Sequence, residues 1–305
     1  MSADPRHTRT VRRRSGGEDW EMVLGEPEAR LREHVLGYMD FAEHTTHAVR
    51  RREIAGALVP LIINFGPPFR IHGSGGEVSE PREGFVAGMS DGVSISESTG
   101  RSRCVQVNFT PLGARRFLRL PMGELANRVV GLEDLFGRAE ADRLRSRLHD
   151  APDAEARFRL VDAFVGARVE GARGPSAGVG RAWRRLWETA GRLEAGALAR
   201  EIGCSRKHLA ARFHDEVGLA PKAVARILRF QHAVSLLDPS AEVRWTEVAH
   251  RCGYYDQAHL IRDFRQLAGA TPGEYLRGIA GGDDPAAGDV DLAAGDPDPA
   301  STDSR

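Results

Sequence analysis

The sequence predicts an α+β protein with two domains, the first rich in β-strands and the second all helical. Residues 20–110 contain runs such as "VSIS" and "CVQVNF", in which apolar and polar residues alternate between Gly/Pro turns. Such alternation is typical of strands with one buried face. After about residue 110 the apolar residues recur at helical spacing, and a Gly-rich segment interrupts this pattern at 170–180. A chain of 305 residues is long enough to bury two cores.

These patterns divide the chain into five predicted segments. They are a polar, flexible tail over 1–19, a β-rich domain with trailing helices over 20–169, a linker over 170–180, a helical domain over 181–280, and an acidic tail over 281–305. The acidic tail is expected to be disordered because it has almost nothing apolar to bury. Within the β-rich domain, the stretches "LGARRFL" and "ELANRVV" are both expected to be helical.

Composition and charge narrow the class of protein. The chain is 41% hydrophobic and 28% charged, as ordinary soluble globular proteins are. It contains no apolar run of the roughly 18 residues that a membrane span needs, and no apolar segment follows the basic N-terminus as in a secretory signal. Three widely spaced cysteines, Cys104, Cys204 and Cys252, therefore indicate reduced thiols and a cytoplasmic protein.

The formal net charge of zero hides an uneven distribution. Residues 181–280 contain 16 Lys and Arg against 11 Asp and Glu, whereas residues 281–305 contain seven Asp against one Arg. We therefore expect a basic helical domain followed by an acidic tail.

The helical domain contains one pattern twice, as "GCSRKHLAARF" at 203–213 and "GYYDQAHLIRDF" at 253–264. In each copy a Gly follows a short amphipathic helix, and a residue suited to an N-cap precedes the next helix. Each second helix carries an apolar pair at i, i+4 that must face inward. The capping residues are Ser205 and Asp256, and the apolar pairs are Leu209 with Phe213 and Leu260 with Phe264. This arrangement is the helix-turn-helix plan.

The outward faces of the two second helices carry mainly polar and small side chains. They are Arg206, Lys207, Ala210, Ala211 and His214 in the first copy, and Gln257, Ala258, Ile261, Arg262 and Arg265 in the second. Between the copies, "PKAVARILRFQHAVSLL" predicts an amphipathic helix that spans about 22 Å, so the two units can reach adjacent major grooves. One copy alone is weak evidence, because such outlines occur by chance in helical proteins. Two matched copies in a basic domain favour DNA binding.

Residues 191–278 resemble the DNA-binding domain of the AraC/XylS family of transcription regulators. The resemblance is carried by "LAREIGCSRKHLAARF" and by "WTEVAHRCGYYDQAHLIRDFRQLAGATPGEYLR". It implies two helix-turn-helix units that read successive major grooves of promoter DNA. Carried over by position, the DNA-binding residues are Ser205, Arg206, Lys207, Ala210, Ala211, Gln257, Ala258, His259 and Arg262. The two alanines depart from the longer polar residues common there, which suggests contact with thymine methyl groups or weak readout.

The same resemblance implies an N-terminal domain that binds an effector or dimerises, often a cupin-like β-barrel. The strand pattern fits a barrel or a sandwich, and the candidate effector pocket is formed by Ile63, Phe65, Phe69 and Phe85. The expected partners are double-stranded promoter DNA, a small-molecule effector, a second copy in a homodimer and, for an activator, RNA polymerase.

Catalysis is not expected. A metal-binding cupin needs converging His and Glu ligands, and His34, His44, His47 and His72 form no compact cluster of this kind. Cys104 lies in an alternating strand without activating neighbours, so an inert, half-buried thiol is expected and no cofactor is implied. We therefore predict a transcription regulator controlled by an effector or by dimerisation. The alternative is a constitutive or architectural DNA-binding protein whose N-terminal domain is only an interaction module. A pocket inside the N-terminal domain would favour the effector-controlled regulator. A completely filled core would favour the constitutive or architectural protein.

Overall fold

The computed structural model describes residues 7–15 and 18–281. The strands are β1 Thr8–Ser15, β2 Glu18–Gly25, β3 Val35–Thr45, β4 Val49–Glu53, β5 Val59–Asn64, β6 Arg70–His72, β7 Val78–Ser79, β8 Gly84–Ala87, β9 Ser94–Ser98, β10 Arg101–Phe109 and β11 Val129–Gly131. The helices are α1 Pro111–Leu118, α2 Leu132–Phe136, α3 Arg138–Asp150, α4 Ala154–Val169, α5 Ala177–Glu188, α6 Ala195–Ile202, α7 Arg206–Val217, α8 Pro221–Ser235, α9 Trp245–Arg251, α10 Gln257–Leu267 and α11 Pro272–Gly281. The predicted fold class is confirmed: a β-rich domain precedes a helical one.

Two antiparallel sheets build the N-terminal domain. The larger has seven strands in the order β1-β2-β3-β10-β5-β8-β11, and the smaller has four in the order β4-β9-β6-β7. Helices α1, α3 and α4 cover one face of the large sheet, where the Tyr38 and Phe158 rings stack with centroids 5.5 Å apart. The four-stranded sheet packs on the opposite face of the seven-stranded sheet. The domain is therefore a β-sandwich whose larger sheet is covered by helices on its outer face.

Alternation along the strands decides which residues enter which layer. On β5, Leu61 and Ile63 are fully buried in the cluster under the helices, whereas Ile62 belongs to the cluster between the sheets. On β10, Val105 faces the helices and Cys104 faces the space between the sheets. Strands β5 and β10 of the large sheet therefore each contribute to two separate cores.

Three predictions about local structure are wrong. Residues 8–15 of the predicted flexible tail form strand β1, which pairs along its whole length with β2. The stretch "ELANRVV" is not a helix, because Asn127 adopts a left-handed φ of 57° and the two valines after Arg128 pair with β8 as strand β11. Helix α5 begins at Ala177, inside the predicted linker. The predicted disordered tail lies outside the described residues from 282 onward.

The C-terminal domain consists of α5 to α11, and its apolar core is continuous with that of the first domain. Helix α8 lies at its centre, with the Phe230 ring edge-on to Phe264 at 4.9 Å between centroids. Helix α7 packs on α1 and on the 3₁₀ turn at Met122–Glu124, so the two domains share an extensive interface.

Candidate DNA-binding interface and interdomain cavity

The first helix-turn-helix unit is formed by α6 and α7. Helix α6 ends at Gly203, whose φ of 80° is left-handed and favours glycine. The hydroxyl of Ser205 then accepts a hydrogen bond from the backbone N–H of His208 at 3.1 Å and caps α7. Leu209 and Phe213 are buried, as the i, i+4 spacing predicts.

The second unit, formed by α9 and α10, repeats this geometry. Gly253 at the turn has a φ of 78°, and the carboxylate of Asp256 accepts a hydrogen bond from the His259 backbone N–H at 2.7 Å. Leu260 and Phe264 are fully buried. In both units the cap and the buried pair fix which face of the second helix is turned outward.

The residues predicted to contact DNA lie on the first two turns of α7 and α10, on their outward side. Seven of them are exposed, namely Ser205, Arg206, Lys207, Ala211, Gln257, Ala258 and Arg262, whereas Ala210 and His259 are half-buried. The His259 ring packs edge-on against Tyr254, with centroids 5.1 Å apart. The arrangement presents three cations and several small side chains at the two helix N-termini, where recognition helices approach base edges.

Two neighbouring residues differ from the sequence analysis. His214 lies on the outward side of α7 by spacing, but its ring packs against the N-terminal domain: a Cβ on Gly123 would lie 2.3 Å from it. Tyr255, in the turn before α10, was not predicted as a contact, although its side chain is 93% exposed. The available signal was a second aromatic residue directly after Gly253-Tyr254, at the N-terminal end of the predicted second recognition helix.

A cavity of about 500 Å³ lies between the two sheets and opens onto the helical domain. Its β-domain wall includes Met22, Met39, Phe41, Ile62, Phe69, Phe85 and Cys104. The helical domain closes it with Trp187 of α5 and with Leu228, Gln231, His232 and Ser235 of α8. The cavity is therefore shared between the two domains.

Only part of the predicted effector pocket faces this cavity. Phe69 and Phe85 lie on its wall, but Ile63 and Phe65 are buried in the core under the helices. Because successive strand residues point to opposite faces, Ile62 occupies the place that was assigned to Ile63.

Burial shifts the pKa values of two titratable groups on the cavity wall. Burial raises the pKa of the Cys104 thiol to about 12, so the thiol stays protonated at neutral pH. Burial also lowers the pKa of His232, and Arg192 and Arg251 lower it further. Within the described ranges, no group of three or more His, Cys, Asp or Glu side chains is placed to hold a metal ion.

Two family profiles match the chain. A family described as a domain of unknown function (DUF6597) matches residues 25–131, which cover most of the sandwich. A helix-turn-helix domain family of AraC type matches residues 198–278, the span of both units. The C-terminal domain thus matches helix-turn-helix domains of AraC type, which confirms the resemblance seen in the sequence.

Two regulatory proteins are similar to parts of this chain. The HTH-type transcriptional regulator Rv1931c of Mycobacterium tuberculosis is 27% identical over 150 residues, which cover 47% of this chain and 58% of that protein. A probable thc operon regulatory protein of Rhodococcus erythropolis is 31% identical over 90 residues, which cover 28% of this chain and 27% of that protein. The alignments thus span less than two thirds of either relative.

Among solved structures, that of ToxT from Vibrio cholerae aligns over 76% of this chain and 97% of the ToxT chain, with a TM-score of 0.45 and 11% sequence identity.

No helix in the part of the chain that the structure describes combines the length and apolarity needed to cross a bilayer.

Proposed function

We propose that this protein regulates transcription by binding promoter DNA through its two helix-turn-helix units, under the control of a small molecule in the interdomain cavity. The observation that carries the proposal is the position of the cavity. One wall belongs to the sheets of the first domain, and the other belongs to α8, the helix that joins the two DNA-binding units.

The DNA-binding part of the proposal rests on the outward faces of α7 and α10. Arg206 and Lys207 on α7 and Arg262 on α10 are exposed cations suited to phosphate or guanine contacts. The exposed methyl groups of Ala211 and Ala258 suit thymine methyl groups. Helix α8 has 15 residues and spans about 22 Å, which supports reading of two adjacent major grooves.

The effector part rests on two loops that line the cavity and also bind α8 and α10. In the loop between β4 and β5, the Ala55 N–H donates to the Leu267 carbonyl of α10 at 2.9 Å. In the same loop, the Ala57 N–H donates to the side-chain oxygen of Gln231 on α8 at 3.1 Å. A ligand that moves this loop would therefore act directly on both helices.

The loop after β8 repeats this connection. Its residues Ser90 and Gly92 line the cavity, and Asp91 between them accepts hydrogen bonds from Arg226 of α8 and Gln266 of α10, each at 3.3 Å. Arg226 also donates to Gln266 at 2.9 Å. Both loops thus hold the C-terminal end of α10, the second recognition helix.

Helix α7 is held by a different surface. Arg115 of α1 donates to the backbone carbonyl of Asp215 at 3.3 Å, and Gly123 packs against His214. These groups do not line the cavity. We therefore infer that an effector changes DNA contact mainly through the second unit, while the first keeps its attachment to the N-terminal domain.

The alternative, a constitutive DNA-binding protein with a filled interaction module, is disfavoured by the cavity.

The family resemblance supports a homodimer and, for an activator, a contact with RNA polymerase. Sedimentation of the purified protein, with and without operator DNA, tests whether it is a dimer. If the only complex on DNA has the mass of the DNA plus one protein chain, the homodimer is contradicted.

Footprinting on the region upstream of its own gene tests the DNA-binding part. We expect one protected segment with two contact regions about one helical turn apart. The variants Lys207→Ala and Arg262→Ala should each weaken protection in a different one of these regions. Arg159→Ala, on the exposed side of α4, is the matched control and should leave the footprint unchanged. Absence of any protected segment would contradict the proposal.

A further inference from the structure

We propose that the interdomain cavity takes an uncharged, largely apolar small molecule and discriminates against carboxylates. This inference rests on the proposed role of the cavity as an effector site and names the chemical class of the effector. It follows from three features of the wall: its apolar surface, the pairing of its one arginine with a buried glutamate, and the neutral state of its histidine.

The deep wall of the cavity is apolar. It is formed by Met22, Met39, Phe41, Ile62 and Phe85 between the sheets, and Leu228 and Trp187 continue this surface on the helical domain. A cavity of about 500 Å³ lies within the range of about 300–1,000 Å³ typical of small-molecule sites. Most of the contact area available to a ligand is therefore hydrophobic and aromatic.

Arg51 is the one arginine or lysine among the described residues of the wall, and its charge is already paired. Glu43, whose side chain is 1% exposed, receives both terminal nitrogens of the Arg51 guanidinium, one of them at 3.1 Å. The hydroxyls of Ser98 and Ser102 donate to the same carboxylate at 3.4 Å. The Arg51 Nε is buried and has no hydrogen-bond partner among the described residues, so one donor of the guanidinium is left unsatisfied. The charge of Arg51 is nevertheless matched by that of Glu43, so the ion pair leaves no net charge for a ligand.

His232 adds no charge either. Burial lowers its pKa, and the neighbouring Arg192 and Arg251, which are exposed and do not line the cavity, act in the same direction. The ring is therefore neutral at physiological pH. It stands beside Gln231, and the wall also holds Gln106 and Ser235, so the polar groups offered to a ligand are neutral donors and acceptors.

The remaining charged residue of the wall, Glu53, is exposed to solvent and accepts a hydrogen bond from Ser96 at 2.6 Å. Among the described residues of the wall, a buried carboxylate on a ligand would meet no cation that lacks an anionic partner, and it would lose its hydration without compensation. An alcohol, amide or ketone pays much less for burial and finds partners at Gln106, Gln231 or His232.

Matched pairs of probes on the full chain test this class. The probes are 1-naphthamide with 1-naphthoate, and decanol with decanoate, titrated by calorimetry near neutral pH. Trp187 on the cavity wall provides a second readout through its fluorescence, and Trp187→Phe should remove that signal among the four tryptophans of the chain. We expect the neutral member of each pair to bind at least about tenfold more tightly.

Two variants locate the binding site. Ile62→Trp fills the space between the sheets and should abolish probe binding, whereas Val78→Trp, at a position 57% exposed, should not. Glu43→Gln leaves the Arg51 guanidinium uncompensated and should raise carboxylate affinity; circular dichroism reports whether each variant is folded.

The inference is overturned if a carboxylate binds as tightly as its neutral partner, or if neither neutral probe binds. Failure of the proposed function gives a different result. In that case the neutral probes bind and Ile62→Trp removes the binding, but DNA affinity is the same with and without them. A carboxylate that binds in the cavity and changes DNA affinity would refute the ligand class and keep the effector role.

Discussion

Gln231 is the clearest single link between the cavity and the DNA-binding domain, and its replacement gives the sharpest prediction. Its side-chain oxygen accepts the Ala57 N–H, and Ala57 is 2% exposed, so Gln231→Ala leaves a buried donor without this acceptor. An unsatisfied buried N–H costs about 1–3 kcal/mol. We therefore expect the free energy of unfolding, measured in urea, to fall by about that amount. The Ala57 amide should also exchange its hydrogen faster.

The matched control is Gln257→Ala on the outward face of α10. Gln257 is exposed, and its side chain lies 3.5 Å from the Thr246 hydroxyl, at the limit of a hydrogen bond. This change should alter stability by less than about 0.5 kcal/mol while weakening DNA binding. Gln231→Glu, which keeps an oxygen acceptor, should recover part of the stability. If Gln231→Ala and Gln257→Ala are equally stable and the Ala57 amide is equally protected in both, the link across the cavity is not present in solution.

Three further predictions concern the two units and the cavity wall. Arg262→Ala should weaken DNA binding by about 1–3 kcal/mol if the guanidinium contacts a base. If it contacts only phosphate, the slope of the logarithm of the binding constant against the logarithm of the salt concentration should fall by about one. Unchanged gel shifts would contradict the placement of α10. Phe264→Ala should lower the free energy of unfolding by about 3–5 kcal/mol, because it leaves a cavity in the core. Lys207→Ala should leave the melting temperature unchanged. A large drop in melting temperature for Lys207→Ala would mean that this side of α7 faces the core. Because burial raises the pKa of the Cys104 thiol to about 12, iodoacetamide should modify the half-buried Cys204 first and Cys104 much more slowly, since the reagent needs the thiolate; labelling of Cys104 as fast as that of Cys204 in the native protein would contradict the raised pKa.

The two helix-turn-helix units were predictable because their determinants are local. A glycine with left-handed φ, a capping side chain three residues before the amide it binds, and an apolar pair at i, i+4 all lie within a dozen residues. Gly203, Ser205 and Phe213 carry this information in the first unit, and Gly253, Asp256 and Phe264 carry it in the second. Local chemistry therefore assigned both turns and the buried pair of each second helix.

The cavity was less predictable because its wall depends on distant parts of the chain. The alternation in β5 identifies two faces but not which of them meets the small sheet, so Ile63 was chosen in place of Ile62. Strand β1 was missed because its arginines indicate a solvated tail, whereas pairing with β2 satisfies its backbone. Nothing local shows that Gln231 and Trp187 close a pocket of the other domain.

The most direct test of the account measures DNA affinity with and without the tightest-binding neutral probe of the matched series. Full-length protein is titrated on operator DNA with both contact regions intact, and on DNA in which the region protected through Arg262 is scrambled. The account predicts that the probe changes affinity on the intact DNA and that most of this change disappears on the scrambled DNA, because the cavity loops hold α10 and not α7. An equal change on both DNAs, or no change on either, would contradict it.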